Sequence, residues 1–416
     1  MLLLRLAWRN LGRNKRRTGL TLAAALFATL LSLLNLAISA GSQKRWVANA
    51  VELYPGHFEV SARGYRDSRS LDDALVLSGE QRAALDALPG AAGWAPRLEA
   101  FGLISADSEH ATGRGVQLFG VDAARERGLS RLLRALRPDG AAPVRAAADA
   151  PRQIALGDLL ARNLGAALGD DVIVVGSDAF GSQAADRFRL VGTFHVGADE
   201  LDGYGALVDL GELRDFLAAG EGLSHVAVFA RDTRALPAIA ERLAAAFPAD
   251  RYEVLGWPEL VPELVQFIQM GDVGDWVQNG LLLIVVAFGL LNTVLMSVFE
   301  RVREFGVLRA IGMRPRTVFG LVLLESLLLS LLGIALGFAV GVPLVLYLSG
   351  HPIPLTGRDV RAAIEVFGIE PVIQFALSRS SLVALPLVLL GVGALASVLP
   401  AIRASRGRPV DALRAT

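Results

Sequence analysis

Residue types that build common active sites are absent or scarce in this chain of 416 residues. There is no cysteine, which excludes disulfides, thiolate metal ligands and a cysteine nucleophile. Only two of the 41 basic residues are lysines, and neither Lys15 nor Lys44 lies in the GxxxxGK[ST] pattern of a phosphate-binding loop. The chain therefore does not bind ATP through a P-loop of its own.

Metal and hydrolase motifs are also missing from the sequence. The five histidines form no HExxH or HxH pair: they are His57, His110, His195, His225 and His351. Their spacing predicts no metal site. The segment 41–279 has no GxSxG nucleophile motif and no close pairing of carboxylates or histidines, so we expect no enzymatic activity in this chain.

The chain has a low fraction of charged residues and a high fraction of hydrophobic ones. Charged residues make up 20% and hydrophobic residues 53% of the chain, whereas soluble domains carry about a quarter charged residues. Four apolar runs, at 20–40, 280–299, 317–348 and 382–402, reach the ~20 residues that a helix needs to cross a bilayer. The first run is too long for the apolar core of a cleaved signal peptide. We therefore predict four membrane helices.

The basic residues are concentrated in three short segments, 1–19, 300–316 and 403–416. These hold 15 basic and 3 acidic residues, a net charge of +12 that the rest of the chain balances. Positive flanks stay in the cytoplasm. We therefore predict that both termini and the 300–316 loop are cytoplasmic, and that 41–279 and 349–381 lie outside.

The first 19 residues have the pattern of an amphipathic helix. Arg5, Arg9 and Arg13 recur every four residues and leave the opposite side apolar. We expect this helix to lie on the inner membrane surface, which is compatible with a role as a positive-inside anchor.

The segment 41–279 has the composition of a folded α+β domain. The run 58–61 alternates as a half-buried strand does, and 78–88 is a predicted helix with Ser78 as N-cap and Gln81 completing a capping box. The run 77–81 also resembles the LSGGQ signature of ABC ATPases, but helix capping explains it without a Walker A partner. A second unit, a helix followed by a strand, occupies 236–255.

Two such units far apart in sequence predict a split βαβ sheet that is interrupted by an insertion. We expect two subdomains, with 41–134 and 225–257 forming the first and 135–224 the inserted second. Residues 258–279 are predicted to be a helical stalk that leads into the second membrane helix.

The stretch 291–313 is the most informative part of the chain. A membrane helix leaves the bilayer with charged residues, and a short amphipathic helix and a glycine stop follow before the next apolar run. Such a helix can dock in a cytosolic groove through Val307, Leu308 and Ile311. The alternative is a simple loop between two anchors.

The third apolar run carries small and acidic residues. Gly333, Gly337 and Gly341 permit close helix packing, which we assign to the chain's own bundle rather than to a dimer seam. Glu325 lies about two turns into the run, where an acid usually faces protein or water. It is expected to pack against the cytoplasmic ends of neighbouring helices.

Polar residues interrupt the outer ends of the first two membrane helices. Paired across a dimer, these ends would form a cavity that opens sideways to the outer leaflet, with acyl chains against leucine and valine and head groups against polar side chains. The alternative is plain lipid-facing anchors. The candidate cavity residues are Ser32, Leu33, Asn35, Leu36, Ser39, Leu282 and Val285.

The stretch 291–313 with Glu325 and Ser326, and the ending 399–414, resemble FtsX-like and MacB-like ABC transporter permeases. Within that family the chain is most similar to the LolC/LolE permeases of lipoprotein-releasing systems, which 157–175 and 192–204 also resemble. The resemblance implies an α-helical membrane protein with four transmembrane helices. It also implies a large, two-part, MacB-like α+β domain inserted between helices 1 and 2.

The resemblance also implies the partners and the location. A separate cytosolic ATPase dimer would bind ATP and Mg²⁺, with no cofactor in this chain, and a second permease copy would complete a homo- or heterodimer in the bacterial inner membrane. No nucleic acid is expected. The residues implied to contact the ATPase are Glu304, Gly306, Val307, Leu308, Arg309, Ala310, Ile311, Gly312 and Met313.

The implied function is mechanotransmission, in which ATP-driven motion reaches the outer domain without a transmembrane pore. The leading cargo is a lipoprotein or other lipid-anchored envelope molecule. The alternatives are MacB-like export of drugs or peptides with an adaptor and FtsX-like regulation of a cell-wall hydrolase. The loop that would receive a periplasmic chaperone is short and lacks proline, a departure from LolC; its residues include Gly176, Ser177, Asp178, Phe180 and Arg187.

Overall fold

The computed structural model describes residues 2–11, 15–106, 113–145, 150–355, 357 and 372–406. Arg13, the tail beyond Arg406 and, within the 349–381 loop, residues 356 and 358–371 lie outside the described residues. The chain divides into two compact units. We call residues 1–45, 267–354 and 372–416 the helical unit, and residues 46–266 with 355–371 the sheet unit.

Fifteen α-helices are described, together with 3₁₀ turns at Leu71–Asp73 and Thr233–Ala235. The helices are α1 Leu2–Leu11, α2 Lys15–Leu53, α3 Tyr65–Ser68, α4 Gly79–Asp86, α5 Ala123–Glu126, α6 Arg131–Arg134, α7 Asp158–Leu164, α8 Asp199–Tyr204, α9 Leu210–Phe216, α10 Leu236–Ala246, α11 Trp257–Leu260, α12 Pro262–Glu300, α13 Val302–Ala310, α14 Pro315–Gly350 and α15 Arg379–Arg406.

The described strands fall into one large sheet and one short pair, β11 with β12. They are β1 Phe58–Ala62, β2 Ala91–Ala106, β3 Arg114–Val121, β4 Leu136–Arg137, β5 Arg152–Gly157, β6 Asp171–Ser177, β7 Gln183–Phe194, β8 Gly205–Asp209, β9 His225–Ala230, β10 Tyr252–Gly256, β11 Ile353–Pro354 and β12 Val372–Ile373.

Four helices are long and apolar enough to cross a membrane: α2, α12, α14 and α15. Each extends beyond the apolar run that predicted it, and α2 and α12 have 39 residues each, or about 58 Å at 1.5 Å per residue. Hydropathy marks only the apolar part of a helix, whereas backbone hydrogen bonding continues through polar flanks. The stalk starts at Pro262 rather than at 258, because the extended backbone of Val261 separates α11 from α12.

The sheet unit contains the predicted split βαβ arrangement. The strand order begins β10-β1-β9-β2, so β1–α4–β2 and β9–α10–β10 interleave, with β1 antiparallel to both β9 and β10. Helix α4 begins as predicted: Gln81 N–H donates to Ser78 Oγ at 3.2 Å, and Ser78 N–H donates to Gln81 Oε1 at 3.0 Å. This reciprocal pair satisfies two backbone donors at the helix start.

The expected insertion does not form a sheet of its own. The 16-residue strand β2 pairs with β9 through its first half and with β6 through its second half, so strands from 135–224 continue the same sheet. The core is shared as well, since Leu98, Ile154, Val172 and Val228 belong to one buried cluster. A strand as long as β2 can pair with strands of both predicted subdomains. The sequence pattern within either subdomain does not reveal this shared pairing.

The three glycines of α14 pack against α2. A Cβ at Gly333 would lie 2.3 Å from Ala25 Cβ, and one at Gly337 would lie 2.5 Å from Thr29 Cβ. A Cβ at Gly341 would approach Leu33 Cδ2 to 2.8 Å. The stripe therefore serves packing within this chain's own helices, as predicted.

Candidate functional site

The short helix α13 ends in a tight glycine cap. Gly312 has φ 99°, Met313 N–H donates to Leu308 O at 3.0 Å, and Gly312 N–H donates to Arg309 O at 3.1 Å. These two bonds are those of a Schellman motif, in which glycine adopts the left-handed conformation without a steric penalty. The cap fixes where the helix stops and therefore which side chains its last turn presents.

One face of α13 and its cap is exposed. Val307 is 45% and Ile311 77% exposed, Arg303 and Ala310 are also exposed, and the exposed Arg314 follows the cap. Positions three and four apart on a helix lie on one face. We call these five residues the α13 face: an apolar pair with an arginine at each end.

The structure distinguishes Leu308 and Met313 from Val307 and Ile311. Both are partly buried and pack against a cluster of the helical unit that includes Val298, Phe305 and Val318. Less of either side chain is therefore available to a groove on a partner. Leu308 therefore belongs to the anchor of α13, and the same holds for the buried Gly306.

Arg301 fastens the start of α13 to α14. Its Nη1 donates to Glu325 Oε2 at 2.9 Å and to Oε1 at 3.1 Å, and its Nε donates to Glu304 Oε2 at 2.9 Å. The Arg301 and Glu325 side chains are 10% and 8% exposed. Charges this buried must be paired, since removing one leaves the other without compensation. Glu325 was predicted to pack against the ends of neighbouring helices, and the residue that it contacts there is Arg301.

A small cavity of about 20 Å³, roughly the space of one water molecule, lies beside this ion pair. Hydroxyl-bearing residues line it next to the two charges: Thr21, Thr293, Ser297 and Ser326. The surroundings of the pair are therefore polar on one side and apolar on the side of Phe305.

The predicted substrate residues on α2 and α12 do not share one surface. Ser32 and Leu33 are 2% and 1% exposed, so they are enclosed within the helical unit and cannot line a cavity open to lipid. Asn35, Leu36 and Ser39 are half-buried, as is Leu282, while Val285 is 70% exposed. The sequence alone does not show which side of α2 meets α14.

The polar residues of this region bond to each other instead of facing outward. Ser39 donates a short hydrogen bond to Asp275, and Gln43 Nε2 donates to Asp272 Oδ1 at 2.6 Å. Gln278 Nε2 donates to Asn35 Oδ1 at 3.0 Å. These pairs join α2 to α12, a role for which the sequence offered no pairing signal.

The loop compared with the chaperone-binding hook is a tight β-hairpin. Strands β6 and β7 continue to Ser177 and from Gln183, so only five residues connect them. Asp178 Oδ1 accepts hydrogen bonds from Phe180 N–H at 2.9 Å and from Ser182 N–H at 2.8 Å. Phe180 is 83% exposed at the tip, while Gly176 lies within β6 and Arg187 faces Asp171 across the hairpin at 3.6 Å.

The fold brings together three residues that the sequence analysis did not connect. His195 Nδ1 lies 3.3 Å from Asp158 Oδ1 and 3.0 Å from Asp202 Oδ2. Asp202 also accepts hydrogen bonds from Val196 N–H and Gly197 N–H, both at 2.9 Å, and burial raises its pKa. Their ligand atoms lie within 4.8 Å of one another, but protein groups already bond both carboxylates.

A second buried polar group lies where α2 ends. Arg97 on β2 is fully buried, donates from Nε to Glu126 Oε1 at 2.7 Å and stacks its guanidinium 3.8 Å from the Tyr54 ring centroid. Arg97 also donates to the Tyr54 carbonyl, one of the carbonyls that a helix end leaves without an intrahelical partner. His225 pairs with Arg97 in the sheet register, and burial lowers its pKa to about 4.

Two family profiles match consecutive parts of the chain. The MacB-like periplasmic core domain matches residues 18–246, more than half of the chain, and the FtsX-like permease C-terminal domain matches residues 277–409. The chain belongs to the FtsX/MacB family of ABC transporter permeases. The family match, together with α2, α12, α14 and α15, makes it a membrane protein. Permease subunits of this family are not themselves catalytic.

Two relatives agree with this assignment by sequence, LolC and MacB. The lipoprotein-releasing system transmembrane protein LolC of Xylella fastidiosa is 26% identical over 97% of this chain and 96% of its own. The macrolide export ATP-binding/permease protein MacB of a Shewanella species is 36% identical over 32% of this chain and 18% of its own. The crystal structure of the periplasmic region of MacB from Actinobacillus actinomycetemcomitans covers 51% of the chain at 12% identity with a TM-score of 0.36.

Proposed function

We propose that a separate cytosolic ABC ATPase, which binds ATP and Mg²⁺, docks on the α13 face of this permease. The observation that supports this is the exposure of Val307 and Ile311, side by side between Arg303 and Arg314, on a helix whose other side is anchored in the core. Apolar side chains in water that are spaced as one helical face are typical of a helix that lies in a partner's groove. The net positive charge of the 300–316 loop supports a cytoplasmic position for this face.

The anchoring of α13 provides a route for force. Arg301 ties it to α14, and Phe305 is buried with Val298 of α12, Val318 of α14 and Ala401 of α15. A push on α13 would therefore move the inner ends of three helices together, because packed interiors are poorly compressible. Helix α12 is continuous from Pro262 to Glu300 and would carry this motion outward, with a second permease copy completing the transporter.

The docking proposal is tested by Val307→Asp and Ile311→Asp in tagged protein purified from native membranes. A carboxylate in an apolar groove is costly, so we expect loss of the co-purifying ATPase and of its stimulated hydrolysis. Val76→Asp is the matched control, since Val76 is 59% exposed in the sheet unit and should retain the ATPase. A normal ATPase yield and rate with both α13 variants would refute the docking surface.

The cargo that we propose is a lipoprotein or another lipid-anchored molecule taken from the outer leaflet. The similarity to LolC over 97% of the chain supports it, and the apolar surface at Leu282 and the exposed Val285 of α12 could receive acyl chains. Each buried methylene contributes about 0.8 kcal/mol, so even part of an acyl chain would bind appreciably. The hairpin 176–187 is short and lacks proline, so we do not assign it to a periplasmic chaperone or adaptor.

The cargo is tested by release of an acylated reporter protein from spheroplasts. Val285→Arg and Leu282→Arg should slow release while the ATPase remains bound, because each places a charge where the acyl chain would lie. Val388→Arg, in the exposed surface of α15 at a similar depth in its apolar run, is the control and should release normally. Normal release with both α12 variants would favour MacB-like export of drugs or peptides, or FtsX-like control of a cell-wall hydrolase.

A further inference from the structure

A cavity of about 330 Å³ opens in the sheet unit, apart from the α13 face and from the surface at Val285. Three stretches line it: the turn region 65–72, residues 99–101 of β2 and residues 177–181 at the end of the β6–β7 hairpin. Its volume lies within the range of about 300–1,000 Å³ that is usual for small-molecule sites.

The charged groups of this cavity are mostly acidic. Asp72, Glu99 and Asp178 contribute carboxylates, whereas Arg69 contributes a single guanidinium. Asp178 is already held by the two backbone N–H groups of its turn, so it adds negative potential rather than a free ligand. Asp72 is exposed, and its carboxylate accepts a long hydrogen bond from Ser70 Oγ at 3.3 Å.

Glu99 lies at the inner side of the cavity, with its side chain only 12% exposed. Arg69 Nη1 is 3.8 Å from Glu99 Oε2, beyond hydrogen-bond distance, and Gln117 Nε2 donates to the same oxygen at 3.4 Å. His225 Nδ1 is 3.9 Å from Oε1, but burial keeps this imidazole neutral above about pH 4. The buried Arg97 guanidinium and the Tyr54 side chain also interact with Glu99 from inside the sheet unit, whereas on the cavity side its charged neighbour is Arg69 at 3.8 Å.

Apolar groups complete the cavity wall. Phe101 follows Glu99 by two positions on β2 and is 57% exposed, which is high for a phenylalanine. Leu71 and Ala100 also line the cavity. An exposed aromatic ring beside carboxylates can contact the apolar part of a cation and attract its charge through the ring face.

The backbone of Arg69 is strained at the edge of this cavity. Its φ of 47° lies in the left-handed region, and its N–H donates to Tyr65 O at 2.6 Å. A non-glycine residue in this conformation is unfavourable and is held by its surroundings. The turn thereby holds the Arg69 side chain near Glu99, where a bound cation would compete with it.

We propose that this cavity binds a small organic cation that carries an apolar group, such as a basic peptide side chain next to an aromatic one. The ammonium or guanidinium donates to Glu99 and Asp72, and the apolar group lies against Phe101 and Leu71. This site goes beyond the proposed transport function, since it needs neither the ATPase nor an acylated cargo.

The test uses the full chain in lipid nanodiscs and isothermal titration calorimetry. The probe is the dipeptide amide Phe-Arg-NH₂, and the neutral comparison is N-acetyl-Phe-citrulline-NH₂, which has nearly the same shape without the charges. We expect the cationic probe to bind at least tenfold more tightly. Glu99→Gln with Asp72→Asn should weaken its binding at least tenfold, and Arg69→Ala should strengthen it by removing the competing cation.

Asp73→Asn is the matched control, because Asp73 is the neighbouring exposed acid, does not line the cavity and instead accepts a hydrogen bond from Ser68 Oγ at 2.6 Å. It should leave the affinity within twofold. If Glu99→Gln fails to fold, Asp72→Asn alone serves, since Asp72 is exposed. Equal affinity for the two probes, absence of binding at millimolar probe, or an unchanged affinity in the acid variants would overturn the proposal. ATPase docking measured with Val307→Asp is independent of each of these results.

Discussion

Arg301 Nη1 donates to both carboxylate oxygens of Glu325, at 2.9 and 3.1 Å, across a gap of 24 positions in the chain. The bond joins Arg301, which lies between α12 and α13, to the third turn of α14. This ion pair fastens α13 to α14 in addition to the packing of Phe305 against Val318, so we expect it to contribute to any transfer of force from the α13 face to α14.

Glu325→Gln should be strongly destabilising. It leaves the buried Arg301 guanidinium with the partly exposed Glu304 as its remaining charged partner, and breaking a buried pair costs up to about 3–5 kcal/mol. Thermal unfolding of the purified chain in detergent measures the effect. Glu304→Gln is the control, because the Glu304 side chain is 37% exposed and its bond to Arg301 should contribute about 1 kcal/mol or less. An equal decrease of the unfolding temperature in Glu325→Gln and Glu304→Gln would contradict this prediction.

Replacing both members of the pair should cost less than replacing one. Arg301→Met combined with Glu325→Met removes both charges and keeps comparable volume, so no charge stays buried alone. We expect the double variant to unfold at a higher temperature than Glu325→Gln but to lose ATPase stimulation, since α13 is no longer fastened to α14. Retained stimulation would show that the pair stabilises the fold without transmitting force.

Gly337→Ala should destabilise the helical unit. The new Cβ would lie 2.5 Å from Thr29 Cβ, and overpacking of this kind costs about 1–3 kcal/mol. Gly320→Ala on the same helix is the control, because no atom lies within 4 Å of its Cβ position and alanine is a better helix former by up to about 1 kcal/mol. The two variants should shift the unfolding temperature in opposite directions.

Glu126→Gln should destabilise the sheet unit by about 3–5 kcal/mol, because Arg97 and Glu126 are 0% and 1% exposed and Arg97 would remain buried and charged. Glu52→Gln is the control. Its ion pair with Arg134 is about half exposed on both sides and should contribute less than about 1 kcal/mol. Hydrogen exchange of β2 amides in the full chain measures both effects, and comparable protection in the two variants would refute the prediction.

His225 should make the sheet unit sensitive to acid. Burial lowers its native-state pKa to about 4, while the unfolded chain titrates near 6.5. Between these values only the unfolded state binds the proton, so the free energy of unfolding falls as pH falls from 6.5 to 4, by about 3 kcal/mol in total. Above pH 6.5 His225 is neutral in both states, so it no longer lowers the free energy of unfolding.

Hydrogen exchange of β9, corrected for intrinsic rates, measures this dependence between pH 7 and 4.5. The charged groups near His225 are Glu99, Arg97, Glu126 and Arg66, and they remain in His225→Leu. The variant should therefore show a flatter pH profile than the unmodified chain. Parallel profiles would mean that another group carries the acid sensitivity.

Local sequence signals predicted the parts of the fold that depend on neighbouring residues. The Ser78–Gln81 capping box, the strand at 58–61 and the four apolar runs are patterns read within a few helical or strand repeats, and each matches an observed element. Even the split βαβ order followed from two local units. The predicted ends of the helices were less accurate. Helix α2 continues from the apolar run to Leu53, because backbone hydrogen bonding does not stop where the apolar residues become fewer.

The sequence by itself determined that this chain has four apolar helices, a mixed α and β portion, no P-loop and a charged link between two apolar runs. Only the tertiary structure decided which face of that link is free. Leu308 and Ile311 look alike in sequence, yet one fills the core beside Phe305 and the other is 77% exposed. The same holds for Arg301 with Glu325 and for the carboxylates around Phe101. Such pairings depend on how distant segments are rotated and registered against each other, and that rotation is set by packing, which no local pattern encodes.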